Sequence, residues 1–471
     1  MKKLFFGGIH PADKKALTCH KEDVISIDPQ YVVIPLSQHI GVPCKPLVMV
    51  GDRVLIGQKI GDNDGLCAPV HASVSGTVVG IEPRLHVNGS QVLSIIIKND
   101  HRNLWDETAK PYLSSMYDDC SKNDRQNTKM SENKSDQNKE NGKVYKQGEL
   151  FKIIREAGIV GMGGATFPTE VKVSSSKDKI DTLIINACEC EPYITADDIL
   201  IRRNPEQILK GIALLANELN PEQTFLAIED NKAEAIEVLK KHLKDYPMIQ
   251  LQVLKTRYPQ GAEKQLILAL TGREVPPGQL PASVRCAVFN VSTTAAVARA
   301  VYEGKPLVRR IVTVTGEGIS RPQNFDVPIG TPFSVLIEAA GGLTEKCRKV
   351  IAGGPMMGRA QASLDVSVIK GTGAVLCLEE DAYFDKKCWS SKDYEEMHPT
   401  CIRCGKCVEV CPMYLQPLYL YRYSETDNLN MLEKYHLMDC IECGCCAYTC
   451  PGKLPLVDSF RAGKLALREK K

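Results

Sequence analysis

The sequence predicts a multidomain chain of α/β and α+β units: a β-rich N-terminal part, a central α/β layer, a small β module and a helical C-terminal domain organised by cysteines. Three observations carry this. Residues 1–110 hold short β-branched runs broken by Gly-Asp and Ser-Gly pairs, the chemistry of strands and tight turns. From 147 to 305 buried-strand runs alternate with helical periodicity, which argues for a layered sheet. Near the C-terminus Cys401, Cys404, Cys407 and Cys411-Pro412 are spaced C-x2-C-x2-C-x3-C-P, and Cys440, Cys443, Cys446 and Cys450-Pro451 repeat that spacing.

The repeated run is the pattern that wraps two [4Fe–4S] clusters, with the fourth cysteine of each run crossing to the other cluster. It predicts Cys401, Cys404, Cys407 and Cys450 on one cluster and Cys440, Cys443, Cys446 and Cys411 on the second. Zinc favours two CxxC pairs with a longer gap, and CxxC steps are too short for an ordinary disulfide scaffold. Cys445 is extra and is expected to pack beside a cluster.

Net charge is +2 over 471 residues, which gives no footing to nucleic acid or a polybasic anchor. Of nineteen cysteines, eight fall in the two runs and the other eleven are scattered without a pairing pattern, which favours a reducing compartment. Met1–Phe6 begins like a signal peptide, but Gly7-Gly8 and His10-Pro11 interrupt it. No apolar run reaches about 18 residues, so any membrane attachment is expected to run through partners.

In chain order, strands are expected at Val32–Pro35 and Leu93–Ile97. Segments 50–61 and 68–78 resemble the two halves of a lipoyl- or biotinyl-like sandwich. That carrier family needs a lysine on a hairpin tip, and Asp62–Cys67 has none. His39 and His71 are expected to be structural rather than metal ligands. Residues 114–143 are polar and cannot bury enough surface to order themselves. Leu150, Ile153, Ile154 and Ala157 share a helical face that ends at Gly158. Strands are expected at 182–186, 224–228 and 249–254, with helices at 205–219 and 231–244. A β-grasp-like module follows Pro306, with a strand at 310–316 and a helix at 333–340 capped by Gly341-Gly342. Helices are expected between the cysteine runs and over 456–468. The expected segments are 1–110, 111–146, 147–305, 306–380 and 381–471.

Gly161, Gly163 and Gly164 form a turn whose amides could approach a phosphate, since no Cβ blocks them. The turn matches neither the Rossmann fingerprint nor a P-loop. Lys172, Asn186, Glu189 and Glu191 fall near strand ends, where open α/β sheets bind ligands; a surface lysine and a helix-capping glutamate are the plainer alternatives.

Gly161–Lys172 resembles the flavin loop of the NADH-oxidising subunit of respiratory complex I. Asn186-Ala187-Cys188-Glu189-Cys190-Glu191-Pro192 is similar to that subunit's Asn-Ala-Asp-Glu-x-Glu-Pro segment, and Tyr258–Glu263 and Asn290–Thr293 are similar to its later contacts. Met162, Cys188 and Ala262 stand where that subunit has Arg, Asp and Glu. The chain as a whole resembles the C subunits of Rnf complexes, through its Gly7–Pro11 opening, lysine-free sandwich, flavin domain, β-grasp module and paired cysteine runs. The resemblance implies a barrel-sandwich hybrid, an α/β FMN and NADH domain, an SLBB-like module and a two-cluster ferredoxin domain. It implies FMN at Gly161, Gly163, Gly164, Lys172, Asn186, Glu189, Asn290 and Thr293, and NAD(H) at Phe167, Glu191, Tyr258 and Glu263.

NAD(H) exchanges a hydride, whereas a cluster takes one electron at a time; a flavin converts between them. No catalytic side chain is needed. The resemblance implies exchange between NAD(H) and ferredoxin-linked partners at the cytoplasmic face of a membrane, coupled to Na+ or H+ movement by membrane subunits. Two alternatives share parts of the pattern: a microcompartment-type flavin and iron–sulfur cobalamin reductase, and an electron-wiring scaffold without flavin.

Overall fold

The structure, a computed structural model, describes residues 5–114, 143–145, 148–174, 180–379 and 400–470. Most of the polar insertion expected at 111–146 and nearly all of the link at 380–400 lie outside the described residues. The insertion's two flanks meet, because Tyr112–Ser114 and Lys143–Tyr145 pair as parallel strands.

The sandwich stacks two sheets. One runs Tyr31–Pro35, Gln91–Asn99, Gly76–Leu85, Arg53–Val54; the other runs Lys45–Pro46, Lys59–Asp62, Val70–His71. All of these pairings are antiparallel. Val32, Ile34, Val54, Ile60, Val78, Ile95 and Ile97 are fully buried between them. Each such side chain contributes about 1.5–3 kcal/mol relative to exposure. Gly76 is required: a Cβ there would lie 1.9 Å from the Lys98 carbonyl oxygen.

The central sheet is parallel, in the order Ile249–Leu254, Gln223–Glu229, Thr182–Ala187, Cys286–Asn290. Leu183, Ile184 and Ile185 are buried in succession, as expected of a strand covered on both faces. Helix Pro205–Leu219 packs on helix Val291–Tyr302. Their contact is close because Gly211 lies against Thr294, where a Cβ would meet the carbonyl oxygen at 1.9 Å.

The next sheet has six strands, ordered Val24–Ser26, Gln323–Pro328, Arg309–Thr315, Ala374–Glu379, Cys347–Ala352, Arg359–Ala360. Helix Phe333–Ala339 covers it, and Gly341 and Gly342 follow the helix with φ of 84° and 83°. Its edge strand Val24–Ser26 comes from far upstream and pairs parallel to Gln323–Pro328. The N-terminal residues therefore do more than open the sandwich.

In the C-terminal domain the two cysteine runs repeat in backbone as well as sequence. Arg403 and Glu442 both have φ of 56°, and Gly405 and Gly444 have φ of 79° and 76°. A short helix lies within each run and carries its third cysteine, Lys406–Glu409 with Cys407 and Cys445–Thr449 with Cys446. Pro417–Glu425, Leu429–Lys434 and the closing helix Leu456–Glu469 bury Leu420, Leu432, Leu456 and Phe460 around the cysteines. Among the described residues no helix is long and apolar enough to cross a membrane.

Candidate functional site

The glycine-rich turn stands over the carboxyl ends of the parallel strands. The Met162 amide donates to Thr293 Oγ1 at 3.0 Å, and Gly161 N donates to the Phe167 carbonyl at 2.8 Å. Gly163 faces Asn290, which a Cβ would meet at 3.4 Å, while Gly164 has φ of 111° with open space beyond it. Among the described residues nothing accepts from the Gly163 and Gly164 amides. These free donors, in a cradle that side chains would fill, suit an anionic group.

Strand ends and helix starts form the floor. Asn186 donates to the Gly261 carbonyl at 2.8 Å and accepts from Cys188 N at 3.0 Å. Asn290 caps helix Val291–Tyr302 through Ser292 N at 2.8 Å and donates to Asp197 Oδ2 at 2.7 Å. Lys172, on helix Thr169–Ser174, reaches Glu263 at 2.8 Å and the Val288 carbonyl at 3.2 Å. Gln260 is wholly buried, yet neither side-chain amide atom has a protein partner. A buried amide left this way is costly unless a bound group satisfies it.

Beneath the floor lies a buried charge cluster. Lys15 arrives from the N-terminal arm and donates to the carbonyls of Glu189 and Glu191, both at 2.8 Å. Burial lowers Lys15 to about 8. Glu189 uses one oxygen to accept from Asp197 N at 2.8 Å, capping the next helix, and the other to accept from Lys232 at 3.0 Å. Burial raises Glu189, against the pull of both lysines. Glu229 is wholly buried, with one carboxylate oxygen unpartnered, and burial raises it to about 7. Glu191 is likewise raised to about 7 by burial, although it accepts from the amides of Met356 and Met357 at 3.2 and 2.8 Å.

The flavin domain and the cysteine domain touch through a small apolar seam of Ile9, Tyr258, Cys443 and Cys445, flanked by Cys190 and Met356. Tyr258 donates to the Cys443 carbonyl at 2.8 Å. Gly8 N donates to the Val410 carbonyl at 2.8 Å, and Gly7 fits only without a Cβ, which would press on Cys411 at 2.8 Å. The thiols fall into two groups. Cys407 interacts with Cys401 and Cys450, whereas Cys446 interacts with Cys443, Cys440 and Cys411. Cys404 is exposed.

Four family models match in succession: the RnfC barrel sandwich hybrid domain over 3–102, the Nuo51 FMN-binding domain over 154–299, the SLBB domain over 311–360 and the 4Fe-4S dicluster domain over 394–451. The chain is 42% identical over 464 residues to the C subunit of the Na(+)-translocating ferredoxin:NAD(+) oxidoreductase complex of Acetobacterium woodii, covering 98% of this chain and 96% of that one. The chain belongs to the RnfC family. Another relative is the C subunit of the proton-translocating ferredoxin:NAD(+) oxidoreductase complex of Clostridium ljungdahlii, 41% identical, covering 93% of this chain and 88% of that one. The longer C subunit of the ion-translocating oxidoreductase complex of Edwardsiella ictaluri is 40% identical over 98% of this chain and 54% of its own length.

An RnfC chain of this architecture carries FMN and two iron–sulfur clusters. The match over 3–102 supports the Rnf-type assignment over the cobalamin reductase, and the FMN-binding match counts against a flavin-free scaffold. Of the residues singled out from sequence, Gly161, Gly163, Gly164, Lys172, Asn186, Glu263, Asn290 and Thr293 meet around the turn. Phe167 closes the turn through its backbone. Glu189 faces away, into the charge cluster, and Tyr258 faces Cys443. The three departures from the complex I pattern are absorbed locally. Met162 is buried, Cys188 lies against the Ala227 carbonyl, and Ala262 begins helix Glu263–Thr271. Sequence reasoning missed Lys15, Glu229 and Lys232; only Lys15, beside the Gly7–Pro11 motif, carried a local hint.

Proposed function

We propose that this chain is the NAD(H)-linked electron-transfer subunit of an ion-translocating ferredoxin:NAD+ oxidoreductase complex. The observation that supports it most is the contact, within one chain, between the domain that carries the flavin-type cradle and the second cysteine group. The Gly163 and Gly164 amides hold the flavin phosphate, Lys172 and Asn290 flank it, and Glu191 and Glu263 help seat NAD(H). When bound, FMN exchanges a hydride with NAD(H) and single electrons with clusters. Around it the chain positions and insulates. Tyr258 and Cys190 keep the space between cradle and cysteines apolar, and the buried charge cluster fixes the strand ends.

Cys440, Cys443, Cys446 and Cys411 hold the cluster next to the flavin domain. Cys401, Cys404, Cys407 and Cys450 hold the other, with Cys404 at the surface facing partner subunits. The membrane subunits, a ferredoxin-like subunit and a cytoplasmic-face position complete the proposal, as does the five-part division of the chain.

The test is anaerobic purification with iron, sulfide and FMN quantified, followed by NADH oxidation with an artificial acceptor. About eight irons and one FMN per chain are expected. Cys411→Ser and Cys446→Ser should each remove the same electron paramagnetic resonance signal, and Cys407→Ser the other. Bound FMN that NADH fails to reduce would overturn the assignment.

A further inference from the structure

Away from the flavin and cluster sites, the sandwich core buries a third set of soft ligands. His39, Cys44 and Cys67 are 8%, 5% and 0% exposed. Their ligand atoms all lie within 4.8 Å of one another. The two sulfurs are 3.4 Å apart, Cys67 Sγ is 3.6 Å from His39 Nε2, and Cys44 Sγ is 4.0 Å from it. Around a tetrahedral ion with M–S of about 2.3 Å and M–N of about 2.0–2.1 Å, the S–S edge is about 3.8 Å and each S–N edge about 3.6 Å. The observed triangle has the size of one tetrahedral face.

The imidazole is also oriented for this role. His39 Nδ1 lies 3.3 Å from the Ile40 carbonyl, which fixes the proton on Nδ1 and turns the Nε2 lone pair toward the thiols. Metal-ligating histidines are held in this way. Ala68 N donates to Nε2 at 3.1 Å, and Cys44 Sγ donates to the Ala68 carbonyl at 3.5 Å; an ion replaces these two contacts. A disulfide requires S–S of about 2.05 Å, well inside the observed 3.4 Å.

We propose that His39, Cys44 and Cys67 bind one thiophilic d10 cation, for which Zn2+ is the probe. Binding exchanges the two thiol protons for the ion, so Zn2+ releases two H+ and leaves an uncharged complex, which a buried site tolerates. Its place in the fold gives it a purpose. The Ile40 amide donates to the Thr166 carbonyl of the glycine-rich turn at 3.3 Å, and Val42 N donates to the Leu66 carbonyl at 2.9 Å. An ion joining residues 39, 44 and 67 pins both loops, and with them the support of the flavin turn.

The experiment uses full-length chain purified anaerobically with clusters and FMN, freed of loose metal by a mild chelator, then given one equivalent of Zn2+. Expected are one zinc retained per chain and a zinc-edge X-ray absorption shell of two sulfurs and one histidine nitrogen, with a light oxygen or nitrogen atom in the fourth tetrahedral position. Cys67→Ser and His39→Gln should each lose the zinc with iron and FMN unchanged. Zinc should raise the thermal midpoint of the wild type but of neither variant. Three outcomes would overturn the proposal: no zinc retained by the wild type, retention unaffected by both variants, or a shell of sulfur alone, which would place the ion on cluster cysteines. A Cys44–Cys67 disulfide seen by mass spectrometry in the anaerobic protein would do the same. The absorption shell decides on the wild type, even where a variant fails to fold.

Discussion

Glu229 offers a sharp test of the buried charge cluster. Its side chain is wholly buried, one oxygen has no partner, and the other accepts only a long bond from Arg257 N at 3.3 Å. Burial outweighs the attraction of Lys15 and Lys232 and raises the carboxyl from 4.5 to about 7. Between those two values the native chain holds a proton that the unfolded chain has released. Wild-type stability contributed by this group therefore falls as pH rises through 4.5 to 7. The difference corresponds to about 3 kcal/mol. Glu229→Gln mimics the protonated acid, so it should raise stability by less than about 1 kcal/mol at pH 5 and by about 3 kcal/mol at pH 8. For a unit of 150–250 residues that is about 6–12 °C in thermal midpoint. Scanning calorimetry of both proteins at the two pH values reads the difference directly. An equal midpoint difference at pH 5 and pH 8 would refute a cost of ionisation at this position.

Gly211→Ala should destabilise the flavin domain by about 1–3 kcal/mol or more, because its Cβ would meet the Thr294 carbonyl at 1.9 Å; the thermal midpoint and soluble yield report it. Tyr258→Phe removes a buried hydrogen bond to the Cys443 carbonyl, at a cost of about 1–2 kcal/mol. It should slow NADH-driven reduction of the clusters while FMN content stays constant, as stopped-flow absorbance would show. Lys172→Ala breaks a pair whose side chains are 31% and 37% exposed, worth no more than about 1 kcal/mol to the fold. Its effect should fall on FMN affinity, at least about tenfold by flavin fluorescence titration, with an unchanged midpoint for the apoprotein.

The cysteine runs were legible because cluster ligation is a local demand: spacing alone brings thiols to corners of one inorganic core, and even the backbone repeats at Arg403–Gly405 and Glu442–Gly444. The glycine turn was legible for the same reason. The strands at 182–187 and 249–254 announced themselves by buried runs and flanking turns. What stayed hidden depends on distant partners. Lys15 meets Glu189 across 174 residues, and neither its neighbour Lys14 nor the Gly7–Pro11 motif upstream points to that partner. Strand Val24–Ser26 finds its partner at Asn324–Asp326, too far for any periodicity to reveal. His39 looked structural because Cys44 and Cys67 approach it only once the sandwich has closed. Glu189 suits a flavin contact by motif and position, yet it serves as a helix cap and lysine partner.

The N-terminal arm imposes an order on manufacture. Its Gly7-Gly8 pair fits against Val410 and Cys411, its Ile9 pairs with Tyr258, and its Lys15 seals the strand ends. About 400 residues separate the arm from its partner at 410–411, so the joint cannot form until the cysteine domain has been made. Until it closes, the cradle and the cysteine loops stay apart, leaving a period in which the assembly machinery can load iron, sulfide and flavin into open modules.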